Sequence, residues 1–384
     1  MNVLFLADHP NLPTGIASVA NMLIDGLPDV SFDVIGCNVK SQQDHGLPHD
    51  SRVIAEFKDY GNYHHLVDVV RDSCYDACMV IGDPHLLAHV YRASTFVRSK
   101  MPLIYYHVWD SATPVPTFNA PVYQCFDHIA CASQETFRAV QKTSSCNASL
   151  IPHGVDLGVF NTGHDPDTSE IRQAFPDQNI VLFVGTNQRR KNIAQTIQAF
   201  SETTNVDESQ LFLKTNLDGH FNIHELAEYY GVADRTNVIT KTLESCEMAH
   251  QLYSAADVVI NAPHREGFGL TPLEAVACGT PSITSYTGGL KDQQTSLHYS
   301  INPSHHHVES DRESRLVQEV YVRTQDISSL IDHILINPPQ KTDVHNEICT
   351  LDMDSTSMCR GIKRVISDKV KAHDFNSFFN ITTI

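Results

Sequence analysis

The stretch Glu266-Gly267-Phe268-Gly269-Leu270-Thr271-Pro272-Leu273-Glu274 decides how this chain is read. It follows the apolar run Ala256–Ala262, which predicts a strand. The glycine turn therefore lies at a strand's carboxyl end, where open α/β sheets bind ligands. Thr271 predicts a helix N-cap, Pro272 suits the first helical position, Glu274 falls where a capping box puts its acid, and Gly279 ends the helix. Gly267 and Gly269 let the backbone come close to a ligand, and the start of a helix offers unpaired N–H groups and a partial positive charge. These are the parts of a diphosphate cradle. A dinucleotide fingerprint fails, because its third glycine would fall on Pro272, and no Walker lysine follows a glycine loop anywhere. Glu274 is open to two readings, capping acid or ligand group. Glu266 precedes a glycine in a loop, where an acid has no capping or packing duty.

Working outward, a second cluster, Gly185-Thr186-Asn187-Gln188-Arg189-Arg190-Lys191-Asn192, also follows a predicted strand, Ile180–Val184. It opens a helix with Ile193, Ile197 and Phe200 on one face. Three cations in a row at a helix N-terminus oppose its dipole. An anionic ligand removes that cost, since arginine forks onto phosphate oxygens and lysine adds a point charge. A solvated basic loop is the plainer alternative, but a second phosphate-type helix start in the same half favours a ligand. Arg190 and Lys191, nearest the helix, are the expected contacts.

Around these clusters, short apolar runs alternate with helical patterns. Candidate strands in the first half are Val3–Ala7, Phe32–Gly36, Ala77–Ile81, Leu103–Val108, His128–Ala132 and Ser149–Pro152. The pattern restarts with Ile180–Gly185, Leu211–Lys214, Val238–Thr240, Val258–Asn261 and Ser282–Thr284. Continuous Val/Ile/Leu runs suit strands of a parallel sheet, and strand–helix alternation gives βαβ units. With 384 residues, the chain exceeds what one core supports, so two doubly wound, Rossmann-like domains are expected. The boundaries are 1–158 and 159–371, with a tail, about 372–384, packing back on the first domain. Thr295–Ser314 reads as a polar insertion in which His305–His307 are solvated.

The balance of 27 Lys+Arg against 45 Asp+Glu gives a net charge of −18. Such a chain repels nucleic acid and anionic lipid at long range, so neither is an expected partner. No run approaches the roughly 20 apolar residues of a membrane span. Met1–Asp8 reads as a strand and not a signal peptide, so a soluble, cytoplasmic protein is expected. The ten cysteines show no metal spacing and read as free thiols, and no metal site is expected. The oligomeric state is not legible.

The acids Glu266 and Glu274, separated by seven residues around Gly-Phe-Gly-Leu, resemble the EX7E signature of retaining glycosyltransferases of family GT4, which have the GT-B fold. Gly185…Arg190-Lys191-Asn192 resembles that family's phosphate-gripping loop, Ile151-Pro152-His153-Gly154-Val155-Asp156 its interdomain segment, and Thr287-Gly288-Gly289-Leu290 its late glycine turn. The likeness is close through the C-terminal half and loose through the N-terminal half, and virus-encoded members share the lean, His-rich character. Two departures stand out: Thr186 takes the place of a frequent arginine, and His153 that of a frequent asparagine.

The resemblance implies two domains facing a central cleft, an acceptor-side one and a donor-binding one. It implies that Glu266 contacts the donor sugar, that Glu274 holds the ribose, and that the backbone amides of Phe268, Gly269 and Leu270, with the helix starting at Thr271, face the diphosphate. Arg190 and Lys191 would neutralise the leaving phosphate. Pro13-Thr14-Gly15-Ile16 resembles a glycine loop closing over the diphosphate, and an ordinary strand-to-helix turn is the alternative. His107 matches a family histidine near the reacting sugar, and a structural residue is an even alternative. Asp8, His9 and Asp110 stand at the same rim, where they would meet the acceptor, and Lys241 borders the donor base.

The expected activity is transfer of a hexose, with retention, to a glycan or glycoprotein. GDP-mannose is the leading donor, UDP-hexoses stay open, and no further cofactor is required. A GT-B sugar-nucleotide epimerase and a non-catalytic nucleotide-sugar binding protein are the alternatives.

Overall fold

The computed structural model describes residues 1–39, 46–58, 61–110, 116–310, 316–340 and 344–378. The chain divides into two compact units. The first comprises Met1–Trp109, Val115–Gly154 and Asp352–Ile384, the second Asp110–Pro114 and Val155–Leu351. Each is built on its own parallel sheet.

In the first unit the strands are β1 (Asn2–Asp8), β2 (Ser31–Cys37), β3 (Arg52–Glu56), β4 (Ala77–Ile81), β5 (Leu103–His107), β6 (His128–Cys131) and β7 (Ala148–Leu150). They lie in the order β3-β2-β1-β4-β5-β6-β7. Val3–Ala7 and Ala77–Ile81 are unbroken buried runs, as a sheet covered on both faces demands. The loop after β1 is pinned locally. The Asp8 carboxylate accepts from the Thr14 hydroxyl at 2.6 Å and the Asn38 amide at 2.7 Å. Thr14 in turn caps helix Gly15–Gly26 through the Ala17 N–H. His9 is buried with Nε2 3.2 Å from the Glu56 carboxylate.

The chain returns to this unit from Asp352 onward, earlier than the expected position near 372. The reason is the apolar spacing of helix Ser355–Phe378, which buries Met358, Cys359, Ile362 and Ile366. Its Cys359 thiol donates to the Met22 carbonyl at 3.3 Å, and Lys363 pairs with Asp29 at 2.6 Å. A Cβ at residue 154 would stand 2.5 Å from the Asp354 backbone, so Gly154 is required by this crossing. Residues 379–384 of the expected tail lie outside the described residues.

The second unit contains β8 (Asn179–Val184), β9 (Ser209–Lys214), β10 (Thr236–Ile239), β11 (Val258–Asn261), β12 (Ser282–Ser285) and β13 (His298–Ile301), in the order β10-β9-β8-β11-β12-β13. Its core is Val181, Phe183, Ile197, Phe200, Leu213 and Ile260 with their neighbours. The expected polar insertion is instead β13 followed by an antiparallel hairpin of β14 (His305–Ser310) and β15 (Leu316–Tyr321). Residues 311–314 of that segment lie outside the described residues. His305–His307 are exposed on β14. Among the described residues, no helix is long and apolar enough to cross a membrane.

Candidate active site

Strand order fixes where chemistry can sit in the second unit. From β8 the chain steps outward to β9 and β10, then returns to place β11 against the other side of β8. The loops after β8 and β11 therefore flank the one reversal of order, the position where doubly wound sheets bind ligands. Those loops are the two clusters singled out in the sequence.

They meet. The Lys191 ammonium donates to Glu266 Oε2, and Arg190 Nη1 stands 3.5 Å from the same oxygen. Glu266 is 8% exposed. Burial pushes its carboxyl up, but the Lys191 and Arg190 cations outweigh that and hold it below the ordinary range. Burial draws the Lys191 ammonium down, opposed mainly by Glu266. Arg190 Nε pairs with Asp110 Oδ2 at 3.2 Å, and Arg265 Nη1 lies 3.6 Å from Asp110 Oδ1.

The basic loop is not the first turn of the following helix, as its sequence suggested. Arg189–Lys191 form a separate 3₁₀ turn, Asn192 adopts a left-handed conformation (φ 62°), and helix Ile193–Ser201 starts after it. The break lets the Asn192 amide reach the Ala262 carbonyl at 3.0 Å, tying the two loops together. His264 N–H donates to the Arg190 carbonyl at 2.8 Å, a second tie. Arg189 turns away and pairs with Glu309 on β14.

The glycine turn also differs in detail. Gly269, at φ 90°, is the N-cap, and the helix runs Leu270–Ala277, so Thr271 lies inside its first turn. Glu274 closes no capping box. Its carboxylate accepts from the Tyr253 hydroxyl at 2.6 Å, and burial raises its pKa. Phe268 is buried, and Gln293 Nε2 donates to the Phe268 and Gly269 carbonyls at 2.8 Å each. Behind the turn, Gly289 N–H donates to the Glu266 carbonyl at 3.2 Å. A Cβ at residue 288 would stand 1.6 Å from that same carbonyl oxygen, and one at 289 would stand 2.5 Å from the Gly267 oxygen. The late glycine turn is thus a backbone-on-backbone support for Glu266.

The remaining predicted residues lie elsewhere. Lys241 follows the edge strand β10, is exposed, and pairs with Glu247 at 3.1 Å. Gly15 begins its helix in the first unit. His107, also there, has no exposed surface, and Nε2 is 2.9 Å from the Tyr123 hydroxyl. Its ring stacks on Tyr105, and burial lowers its pKa to about 3. His153 is likewise buried, with Nδ1 2.8 Å from the Tyr106 hydroxyl and a pKa lowered by burial to about 3. Both histidines are buried against tyrosines within the first unit. Asp110, expected to meet an acceptor, is committed to Arg190 and Arg265. Gln293, Tyr253, Arg265 and Glu319 were missed, because each acts across more than 20 residues and no local pattern announces such a bond. Among the described residues, no group of three or more His, Cys, Asp and Glu is placed to hold a metal ion.

Comparison with known proteins bears on the fold and on the family of the second unit. Residues 165–346, all within the second unit, match the family model described as Glycosyl transferases group 1. The chain is 31% identical over 178 residues to a D-inositol 3-phosphate glycosyltransferase of Mycobacteroides abscessus, covering 44% of this chain and 38% of that protein. It is 33% identical over 146 residues to the protein of the same name from Segniliparus rotundus, covering 37% and 32%. The chain thus spans well under half the length of these curated relatives. Over nearly its whole length its fold is that of GT-B glycosyltransferases. Sucrose-phosphate synthase from Thermosynechococcus elongatus superposes with a TM-score of 0.74 at 17% identity, covering 97% of this chain and 100% of that one. HepE from Anabaena, solved with UDP and glucose, gives 0.72 at 18%, covering 96% and 100%.

Proposed function

We propose that this protein is a retaining glycosyltransferase that takes a hexose from a nucleoside-diphosphate sugar to a hydroxyl of a sugar, polyol or glycan acceptor. The observation that carries the reading is the convergence of Arg190 and Lys191 on Glu266 at the switch point of the second sheet. When a glycosyl bond to a diphosphate breaks, negative charge develops on the leaving oxygen, and half-buried cations held in place there stabilise it without reorganising. Arg190 and Lys191 take that role, with the N–H groups of Phe268, Gly269, Leu270 and Thr271 facing the diphosphate. Glu266 accepts hydrogen bonds from the hexose hydroxyls, and Glu274 holds the ribose. With no carboxylate assigned as nucleophile, front-face displacement is the mechanism adopted, in which the departing phosphate oxygen takes the acceptor's proton.

GDP-mannose is the donor suggested by the Arg-Lys-Asn loop. The UDP and glucose held by the Anabaena neighbour put UDP-hexoses beside it. The D-inositol 3-phosphate named for the relatives puts phosphorylated polyols among the acceptors.

The test is a thermal-shift panel of UDP, GDP, UDP-glucose and GDP-mannose, followed by product analysis. A donor at 100 times its dissociation constant adds about 2.7 kcal/mol to stability, enough to pick out the base. Glu266→Ala is expected to keep the fold and abolish transfer, and normal turnover in that variant removes Glu266 from the mechanism. An altered free sugar nucleotide formed without acceptor would indicate an epimerase. Donor binding with no turnover would indicate a binding protein.

A further inference from the structure

The hairpin β14–β15 has no part in the function proposed above, yet it places a carboxylate where an apolar side chain is expected. On β15, Val317 and Glu319 share one face by the two-residue period of a strand, and both are buried, Glu319 at 2% exposure. A hairpin needing only a packed inner face would take valine or leucine there, since a buried carboxylate is costly unless paired. Glu319 is paired. Its Oε1 lies 3.4 Å from Arg265 Nε, and its Oε2 accepts from the Tyr321 hydroxyl at 3.0 Å and stands 3.5 Å from Arg189.

From Arg265 the charges alternate inward. Arg265 meets Asp110, Asp110 meets Arg190, and Arg190 meets Glu266. The backbone runs parallel to this relay, with Val320 N–H bonded to the His264 carbonyl at 2.8 Å and His264 N–H to the Arg190 carbonyl at 2.8 Å. We propose that Glu319 is a positioning residue: acting through Arg265 and Asp110, it sets the Arg190 guanidinium in the orientation that receives a diphosphate. The inference rests on the anion-binding role given to Arg190 under the proposed function.

The sign of the effect separates positioning from simple charge. Glu319→Gln keeps size and one acceptor oxygen but removes a negative charge. If only net charge mattered, a phosphate ligand would bind more tightly. If Glu319 holds Arg265, and through it Arg190, binding weakens. The experiment is titration of wild type, Glu319→Gln and Glu309→Gln with UDP and GDP, and with uridine and guanosine as probes lacking phosphate.

The expected result is about tenfold weaker binding of whichever diphosphate the wild type takes, with its nucleoside unchanged, in Glu319→Gln. Glu309→Gln, which removes the same charge from β14, is expected to stay within about twofold, as exposed pairs contribute little. Equal or tighter diphosphate binding by Glu319→Gln, or equal weakening by both variants, overturns the inference. Should Glu319→Gln fail to fold, Glu319→Asp keeps the charge but draws the carboxylate back from Arg265; weaker diphosphate binding with the nucleoside unchanged is expected, and wild-type binding by that variant overturns the inference. Wild type that binds neither diphosphate would instead sink the proposed function, a distinct outcome.

Discussion

Gly288→Ala tests the claim that the late glycine turn holds Glu266 in place. Gly288 sits at φ +50°, and an added Cβ would stand 1.6 Å from the Glu266 carbonyl oxygen and 2.8 Å from its carbonyl carbon. Real Cβ contacts essentially never fall below 3.0 Å, so the Glu266 backbone must retreat by about 1.4 Å, the difference between the two. It has little room. The same segment is tied by Gly289 N–H to the Glu266 carbonyl, by Gln293 to the Phe268 and Gly269 carbonyls, and by the Glu266 side chain to Lys191. The left-handed conformation costs alanine ~1 kcal/mol and forced overpacking a further ~1–3 kcal/mol. At roughly 2–4 °C per kcal/mol for a unit of this size, the melting temperature should fall by on the order of 10 °C. On the proposed function Glu266 touches the reacting sugar, and displacing such a group by about 1 Å costs on the order of 100-fold in turnover. The assay is transfer, or donor hydrolysis, beside thermal melts of both proteins. Gly231→Ala is the control, since Gly231 also has a positive φ but nothing lies within 4 Å of its added Cβ. It should lose only ~1 kcal/mol and no activity. Wild-type turnover in Gly288→Ala with a melting temperature within about 2 °C would refute the reasoning.

Two further outcomes follow from the same geometry. Lys191→Met removes a cation from the buried Glu266 carboxylate and Glu266→Gln leaves the half-buried Lys191 ammonium without it, so each should cost up to about 3 kcal/mol in urea unfolding, while the double variant loses much less than their sum; strict additivity would show that the pair is not coupled. His107 and His153, each held near 3 by burial, bind their protons only on unfolding across roughly pH 6.5 to 3, so their contribution is present above that window and lost as pH falls through it. Each steepens the loss by about 1.4 kcal/mol per pH unit within the window, and His153→Asn should remove one such increment from the pH dependence of unfolding. An unchanged slope in that variant would contradict the assignment.

What the sequence made legible was what is local. Buried strands such as Ala77–Ile81 and Val258–Asn261 announce themselves as apolar runs, because a strand covered on both faces has no polar side to show. The two loops after β8 and β11 were legible for the same reason, as each is a strand end followed by glycine or charge. What escaped was decided by contacts distant in sequence. Thr271 has every local credential of an N-cap, but Gly269 can adopt the left-handed backbone and the helix starts two residues sooner. Glu274 fits a capping box by spacing, yet the π-helical stretch Met248–Tyr253 brings a tyrosine hydroxyl to it from 21 residues away. Thr295–Ser314 read as an insertion because β14 is exposed along most of its length, and an exposed polar strand resembles a loop.

The charge arrangement around Glu266 gives the site a further property. Arg189, Arg190, Lys191 and Arg265 are interleaved with Asp110, Glu266, Glu309 and Glu319, four cations against four carboxylates among the described residues. The inner members Glu266 and Glu319 are buried, and without such balance they would carry uncompensated charge, which is far costlier than paired charge. On the proposed function, a diphosphate reaching Arg190 and Lys191 must compete with Glu266 for the same hydrogen-bond donors. The carboxylate it displaces is the acid assigned to the hexose hydroxyls, so gripping the phosphate and freeing Glu266 are one exchange. A sugar lacking its diphosphate could not drive that exchange, and free hexose should therefore bind far more weakly than the same hexose carried on its nucleotide.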